Sequence, residues 1–489
     1  MKNLKKKTKI GLVHGVFDII HIGHIKYFKE AKNLVDYLIV SVTTDKFIKK
    51  GPGKPIFGID KRCEVLKSIK YIDEVIISNF ETAKEVIKKV KPDIYIKGKD
   101  YKNFNDDLSK NILIEKKEVE KYGGKLAFTQ SELHSSSSII NKNFNYISDS
   151  AKKILKIKNL KKIFEVFRKS LSNFSDKKIL IIGDPILDIV KFVKASGKSN
   201  KNNILATRLI NSETTYGGTI LVANFLSQFY KNLDYLYVGN SKDYNFLKKK
   251  LNKNINLIKI ISKNSLIKKN RYVDEYTFNR LFQNNENEES KLDLKIQNDI
   301  KRKLQKTIKK YHQILLFDYG YIFSSKDLIN FFNNYTKNLV VNCQSNSFNF
   351  GFNIPDKYKK AKILSIDEAE FRLLVKDGTT EVKKLITTNL NKFKNYKYAI
   401  ITQGKTGCYV IHSRKIKFIP TILNQRLDTT GAGDIFLSMF SYLILNTHLD
   451  LEEITIVSHV VAGIHSNELA NRYNLDKINL QKVLGIVFK

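Results

Sequence analysis

Gly15-Val16-Phe17-Asp18-Ile19-Ile20-His21-Ile22-Gly23-His24 lies between an apolar run, Ile10 to Val13, and a segment from Ile25 to Lys32 with helical spacing. A strand that gives way to a helix through a turn carrying two histidines is the outline of a phosphate site. The start of a helix offers unpaired N–H groups and the positive end of its dipole. Gly23 removes the side chain that would hold a phosphate off the backbone. His21 and His24 can each donate a hydrogen bond to a pentacovalent α-phosphate, whose negative charge grows in the transition state. No protein nucleophile is needed if the attacking group is the substrate's own phosphate. A pair of surface or metal-binding histidines is the plainer reading, and it leaves the strand–turn–helix setting unexplained.

At these residues the chain resembles the cytidylyltransferase-like nucleotidylyltransferases, whose signature is H-x-G-H preceded by G-x-F-D. The resemblance runs from about residue 9 to 142 and implies a nucleotide-binding role for Gly15, Phe17, Asp18 and Gly23. It places basic residues, Lys54 and Arg62, on the nucleotide phosphates. Lys97-Gly98-Lys99-Asp100-Tyr101 is similar to the family's K-G-x-D-[YW] stretch, which closes over base and ribose, so Lys97, Gly98 and Asp100 are implied contacts. His134 followed by Ser135, Ser136, Ser137 and Ser138 matches the late hydroxyl-rich turn that serves the β- and γ-phosphates.

A chain of 489 residues is too long for one ordinary core and suits two or three domains. No apolar run approaches the roughly 20 residues of a membrane span. Met1 to Lys9 is basic without the apolar stretch of a signal peptide, so a cytoplasmic protein is expected. Cys63, Cys343 and Cys408 are far apart and fit neither a metal spacing nor a disulfide framework. The formal charge of +38 comes from lysines spread among asparagines along the whole length. That is a compositional bias rather than a patch, so nucleic acid is not expected as the main partner, although anionic substrates would be attracted.

Beyond Ile140 the pattern lapses into a polar loop, and residues 143–177 read as a helical connector. Ser150 is a candidate cap for an apolar stripe of Ile154, Ile157, Leu160, Ile163, Phe164 and Phe167. From Lys178 strands alternate with helices again, which indicates a parallel sheet. Strand candidates are Lys178 to Ile182, Leu233 to Gly239, Ile314 to Phe317, Leu339 to Val341, Ile363 to Ser365 and Ala399 to Thr402. Arg271 to Phe282 suits a small covering element, and Asn284 to Ser290 an acidic loop.

Asp428-Thr429-Thr430-Gly431-Ala432-Gly433-Asp434 is the sharpest motif of this second half. Small residues let the N–H groups of Gly431, Ala432 and Gly433 converge just ahead of a helical run from Ile435 to Leu445. The result is an anion hole for a transferring phosphoryl group. Asp434 at its mouth can take the proton from an attacking hydroxyl. A glycine-rich turn with a capping Asp is the structural alternative.

This motif resembles the signature of ribokinase-like, pfkB-family sugar kinases, and the likeness spans about 178 to 485. It implies that Asp188, Gly217, Gly218 and Asn224 contact the sugar together with Asp434. It further implies that Thr402, Gly404, Gly407 and Asn467 bind the nucleotide, and that Glu368 organises magnesium through water as the acid of an N-x-x-E element. Ser365 stands where that element has Asn. Asn342-Cys343-Gln344 replaces an Asp-Pro-Lys-like element, so with Asn346 and Asn349 this stretch brings amides toward the sugar.

The expected fold class is therefore α/β, with two doubly wound domains. These are a nucleotidylyltransferase at 1–142 and a ribokinase-like α/β sandwich at 178–489. A sugar kinase joined to a nucleotidylyltransferase resembles the bifunctional ADP-heptose synthesis enzymes, here in inverted order. The resemblance implies ATP-dependent phosphorylation of a heptose-phosphate-like sugar. Transfer of a nucleotidyl group from ATP or CTP to a sugar phosphate follows, with release of pyrophosphate and Mg2+ in both steps. Both families often form homodimers. Two alternatives stand beside this reading: a CDP-alcohol-forming transferase fused to an unrelated sugar kinase, and a kinase domain reduced to sugar binding.

Overall fold

The computed structural model describes residues 8–48, 55–80, 82–99, 111–130, 147–198, 202–288, 292–322, 325–346, 349–423, 428–466 and 475–488. The chain divides into two compact units, Met1–Asn145 with Ile478–Lys489, and Tyr146–Lys477.

In the first unit β1 (Ile10–Gly15), β2 (Tyr37–Thr43), β3 (Glu74–Ser78), β4 (Ile94–Lys97) and β5 (Lys125–Phe128) form one sheet in the order 3-2-1-4-5. Every pairing is parallel. A parallel sheet buries both faces, which is why β2 reads as an almost unbroken apolar run. Val13, Val40 and Ile96 pack on one face with Tyr27 and Phe28. Leu12, Ile39 and Tyr95 pack on the other with Ile87 and Val119. The strand order reverses between β1 and β4, and the crevice at their C-terminal ends is where sheets of this kind hold ligands.

The second unit opens with two helices where the sequence suggests a single run. Ser148, not Ser150, caps the helix Asp149–Ile157 by accepting the Ala151 N–H at 3.1 Å. Lys158 is extended, and Asn159 caps a second helix, Leu160–Ser172. Ile163, Phe164, Phe167 and Leu171 are buried, but Ile157, expected in the same stripe, is 83% exposed because the break turns it outward.

The main sheet of this unit has nine strands. They are β6 (Ile179–Gly183), β9 (Leu233–Gly239), β10 (Ile255–Ile261), β13 (Gln313–Asp318), β14 (Leu339–Cys343), β15 (Ala361–Asp367), β16 (Tyr396–Thr402), β17 (Gly407–His412) and β18 (Lys415–Pro420), in the order 10-9-6-13-14-15-16-17-18. Pairing is parallel from β10 to β16 and antiparallel across β16, β17 and β18. A separate four-stranded sheet, 12-11-7-8, is built from β7 (Pro185–Lys198), β8 (Leu205–Gly217), β11 (Ile267–Asp274) and β12 (Arg280–Glu286). The covering element anticipated at 271–282 is thus part of a larger sheet. The acidic loop anticipated from Asn284 begins instead as strand, through Glu286. Both units are doubly wound α/β structures. Among the described residues no helix is long and apolar enough to cross a membrane.

Candidate active sites

The helix Ile22–Asn33 starts at the C-terminal end of β1, with His21 as its N-cap. The Nδ1 of His21 accepts the Gly23 N–H at 3.1 Å, which fixes the ring over the first turn. The His24 ring lies 4.0 Å from it, centroid to centroid. Phe17 meets His24 edge-on at 5.7 Å, and Phe28 stacks against it at 6.3 Å. Gly15 permits this, because a Cβ there would stand 2.8 Å from the Phe17 ring. Two imidazoles are thereby held together at a helix N-terminus.

Asp18 and Arg62 are placed differently from what the sequence suggested. The Asp18 carboxylate accepts the N–H groups of Ile56 (2.8 and 2.9 Å) and Phe57 (3.0 Å). Arg62 is 1% exposed and donates to the carbonyls of Phe57 (2.9 Å), Val16 (2.5 Å) and Thr43 (2.8 Å) and to Asp45 (2.6 Å). Its guanidinium braces the loops after β1 and β2 and does not project toward a nucleotide. Lys97, at the end of β4, is buried with its Nζ 3.2 Å from Glu115. Gly98 follows it beside the end of β1, since Val13 pairs with Ile96.

The sequence reading passed over His14. Its Nδ1 is 3.0 Å from the Ser41 hydroxyl and its Nε2 3.4 Å from that of Thr43. Desolvation, reinforced by the charge of Lys97 against that of Glu115, lowers its pKa to about 4, so it is neutral at physiological pH. A histidine breaking an apolar strand just before a glycine was the available signal. Lys54, Asp100, His134 and Ser135 to Ser138 lie outside the described residues.

The second unit contains a cleft of about 420 Å3. It gathers Asp188, Gly217 and Gly218 with Gly431, Ala432, Gly433, Asp434, Thr402, Gly404 and Gly407. Asp188 is 2% exposed and ion-paired with Arg271 of β11. A Cβ on Gly217 would fall 2.3 Å from the Asp188 carboxylate, so only glycine admits that acid here. Lys269 also lines the cleft, its pKa lowered by burial. The helix Ala432–Asn446 begins at Gly431 (φ 71) and points its N-terminus into the cleft. The Ala432 N–H is already donated to the Thr429 carbonyl at 3.1 Å, which leaves Gly431 and Gly433 to define the hole. Asp434 is 3% exposed and accepts the Gln344 amide at 3.2 Å. Burial pushes its pKa up to about 7, against the lowering effects of the Tyr319 hydroxyl, Lys269 and Gln344.

Residues 12–143 match the family model described as cytidylyltransferase-like, and residues 273–471 match the pfkB family of carbohydrate kinases. The chain joins a cytidylyltransferase-like domain to a pfkB-family domain. Over 117 residues it is 43% identical to a "Bifunctional protein HldE" of Nitratiruptor, covering 23% of this chain and 25% of that protein. The protein of the same name from Aliarcobacter butzleri is 39% identical over 127 residues, 26% of each chain. An "FAD synthase" of Pyrococcus abyssi is 48% identical over 91 residues, 18% of this chain and 62% of that one. The chain thus spans about a quarter of the length of the bifunctional relatives it matches. Phosphofructokinase-2 from Escherichia coli, solved with potassium, superposes with a TM-score of 0.50 at 13% identity over 64% of this chain and 100% of that chain. That likeness is one of fold.

Three implied residues of the pfkB-family domain are corrected by the geometry. Glu368 turns from the cleft toward Arg372 (2.8 and 2.9 Å) and Gln403 (2.8 Å). The acids of this segment that line the cleft are Asp367 and Glu370, spaced as in N-x-x-E two residues further on. They cap the helix Glu368–Val375 reciprocally, and Glu370 also accepts the Ser345 N–H at 3.1 Å. Burial and the neighbouring Asp367 raise the Glu370 pKa well above the carboxylate range. Asn224 lies six residues past Gly218, roughly 9 Å along the helix and about 120° round it. There it accepts the Asn252 N–H at 3.4 Å and does not line the cleft. The Ala432 amide is the third, as described. Of the amide-rich stretch, Asn342 and Gln344 reach the cleft, whereas Asn346 and Asn349 both donate to the Tyr319 carbonyl at 2.8 Å. Asn467 lies outside the described residues.

Proposed function

We propose that the chain is a bifunctional enzyme that phosphorylates a sugar and transfers a nucleotidyl group to a sugar phosphate. The observation that carries the kinase half is the single cleft in which a buried carboxylate, Asp434, stands at a helix N-terminus between a polar end and a glycine-lined end. Asp188, Lys269, Arg271 and Asn342 make the sugar end. Its two cations suit a sugar that already bears a phosphate. Thr402, Gly404, Gly407, Ala462 and Gly463 make the nucleotide end.

Asp434 removes the proton from the sugar hydroxyl, whose oxygen attacks the γ-phosphorus of ATP. The bond to the β-phosphate oxygen breaks and ADP leaves, while the Gly431 and Gly433 amides hold the charge spread over the transferring group. A pKa near neutrality suits a base working at that pH. In the other unit the sugar phosphate oxygen attacks the α-phosphorus of a nucleoside triphosphate. His21 and His24 stabilise the five-coordinate phosphorus, and pyrophosphate departs. Asp367 and Glu370 already accept backbone N–H groups at the cleft, so they would meet Mg2+ only through water, and the cation would favour the ionised form of Glu370 while offsetting phosphate charge. A cytoplasmic homodimer belongs to the same reading by analogy with both families.

One observation favours a second reading of the first unit. The stretch shared with the Pyrococcus FAD synthase covers more of that protein than the HldE stretches cover of theirs. An acceptor other than a sugar phosphate, including an alcohol phosphate activated by CTP, is therefore the alternative. Pyrophosphate release measured with ATP and with CTP against sugar 1-phosphates, alcohol phosphates and flavin mononucleotide separates the two. Release only with a non-sugar acceptor would reject the sugar-nucleotide reading.

A further inference from the structure

The four-stranded sheet meets the phosphoryl end of the cleft through one residue that the motifs do not mark. A turn built on Asp274, which accepts the N–H groups of Tyr276 (3.1 Å) and Thr277 (2.8 Å), sets Arg280 at the start of β12 opposite Val273. Arg280 Nη2 donates to Asp428 Oδ1 at 2.5 Å and to the Thr430 hydroxyl at 2.7 Å. The same Asp428 oxygen accepts the Thr430 N–H (2.9 Å) and hydroxyl (2.7 Å). On the loop's other flank the Asp428 N–H is donated to the Ser466 carbonyl at 2.9 Å, and His465 Nε2 lies 3.1 Å from the Thr430 carbonyl. The segment leading into Gly431 and Gly433 is therefore clamped between the sheet and the end of the helix Leu451–His465.

Arg280 does not line the cleft, and its side chain is 47% exposed while that of Asp428 is 5% exposed. Without Arg280 the buried Asp428 carboxylate still accepts the Thr430 N–H and hydroxyl, so the loop keeps its local turn and the arginine is not its only support. A charge-assisted bond that fixes a loop beside an anion hole bears on the geometry of transfer instead. Lys269 and Arg271 reach the sugar end from β11, the strand paired with β12. One sheet thus touches both the sugar site and the loop before the phosphoryl site.

We propose that Arg280 is a positioning residue that ties this sheet to the anion loop, so that the seating of the sheet over the sugar sets Gly431 and Gly433 against the transferring phosphoryl group. The proposal rests on the kinase reading above. In the full chain, Arg280→Ala is expected to lower kcat about 10- to 100-fold, the worth of a hydrogen bond to a charged group, with the KM for ATP nearly unchanged. Arg280→Lys recovers part of the loss, and pairing Arg280→Ala with Asp428→Asn costs less than the two changes summed. Hydrogen exchange of the amides at 428–434 speeds up in Arg280→Ala, with and without ATP, while the melting temperature holds. A wild-type kcat in Arg280→Ala, additive effects with Asp428→Asn, or a loss that follows a lowered melting temperature would each overturn the proposal. If the wild type phosphorylates nothing, the kinase reading fails, and the exchange measurement still decides whether Arg280 orders the loop.

Discussion

The pH dependence of phosphoryl transfer follows from where Asp434 sits. Its pKa of about 7 arises because burial disfavours the charged carboxylate, with Asp188 adding to the effect and the Tyr319 hydroxyl, Lys269 and Gln344 opposing it. A base works only when deprotonated. kcat/KM, which reports the free enzyme, is therefore expected to rise with unit slope through neutrality and level off above it. At pH 6 about one-tenth of the sites would be ionised, so the rate should fall roughly tenfold from its plateau, whereas an ordinary carboxylate near 3.9 would show no change. ADP release followed between pH 5.5 and 8.5 at saturating magnesium measures this. Asp434→Asn should lose about 10²- to 10⁴-fold and the limb with it. Gln344→Lys places a cation beside the carboxylate and should move the limb to lower pH. The same shift acts on stability with a definite sign. The folded state holds this proton more tightly than the unfolded state, so the stabilisation is complete below the unfolded value and is lost as pH rises through about 7. The melting advantage of Asp434→Asn over the wild type should thus grow from pH 4 to pH 8, being larger at pH 8 than at pH 5. A flat rate profile across neutrality, with Asp434→Asn inactive, would refute the reasoning about its environment.

Three further outcomes are expected. His24→Ala should reduce pyrophosphate release about 10²- to 10³-fold, as for loss of a transition-state hydrogen-bond donor, and leave ADP release by the other unit intact. Arg62→Ala should destabilise the first unit by about 3 kcal/mol, because it strands buried carbonyls; a variant that keeps its melting temperature but loses nucleotide affinity would restore the phosphate role first read from the sequence. Glu370→Gln should weaken magnesium-dependent phosphorylation far more than Glu368→Gln, and the reverse order would return the role to Glu368.

The fold was legible where burial dictates composition. Parallel strands covered on both faces must be apolar along their length, so β1, β6 and β13 stood out as runs. β7 and β8 did not, because one face of their sheet is exposed and carries Lys191, Lys194 and Arg208 among the apolar residues. The cleft was legible where chemistry demands small residues, at Gly217 and from Gly431 to Gly433. Side-chain direction was not. Arg62 and Asp18 look the same in a sequence whether they meet a phosphate or the chain's own backbone. Glu368 and Glu370 sit on one helix turn, and only the capping bond between Asp367 and Glu370 decides which acid faces the cleft. Asn224 was misplaced because six residues turn a helix about 120° away from the face of Gly218 and carry it roughly 9 Å along the axis.

The central claim is that two separate phosphate-handling sites act in one chain. Mass spectrometry of products, after the full-length protein is supplied with ATP, CTP and a panel of sugars and sugar phosphates, tests it most directly. The account predicts a newly phosphorylated sugar whose formation is lost in Asp434→Asn, and a nucleotide-linked product with pyrophosphate that is lost in His24→Ala. Neither product from any acceptor, or loss of the phosphorylated sugar in His24→Ala, would contradict it.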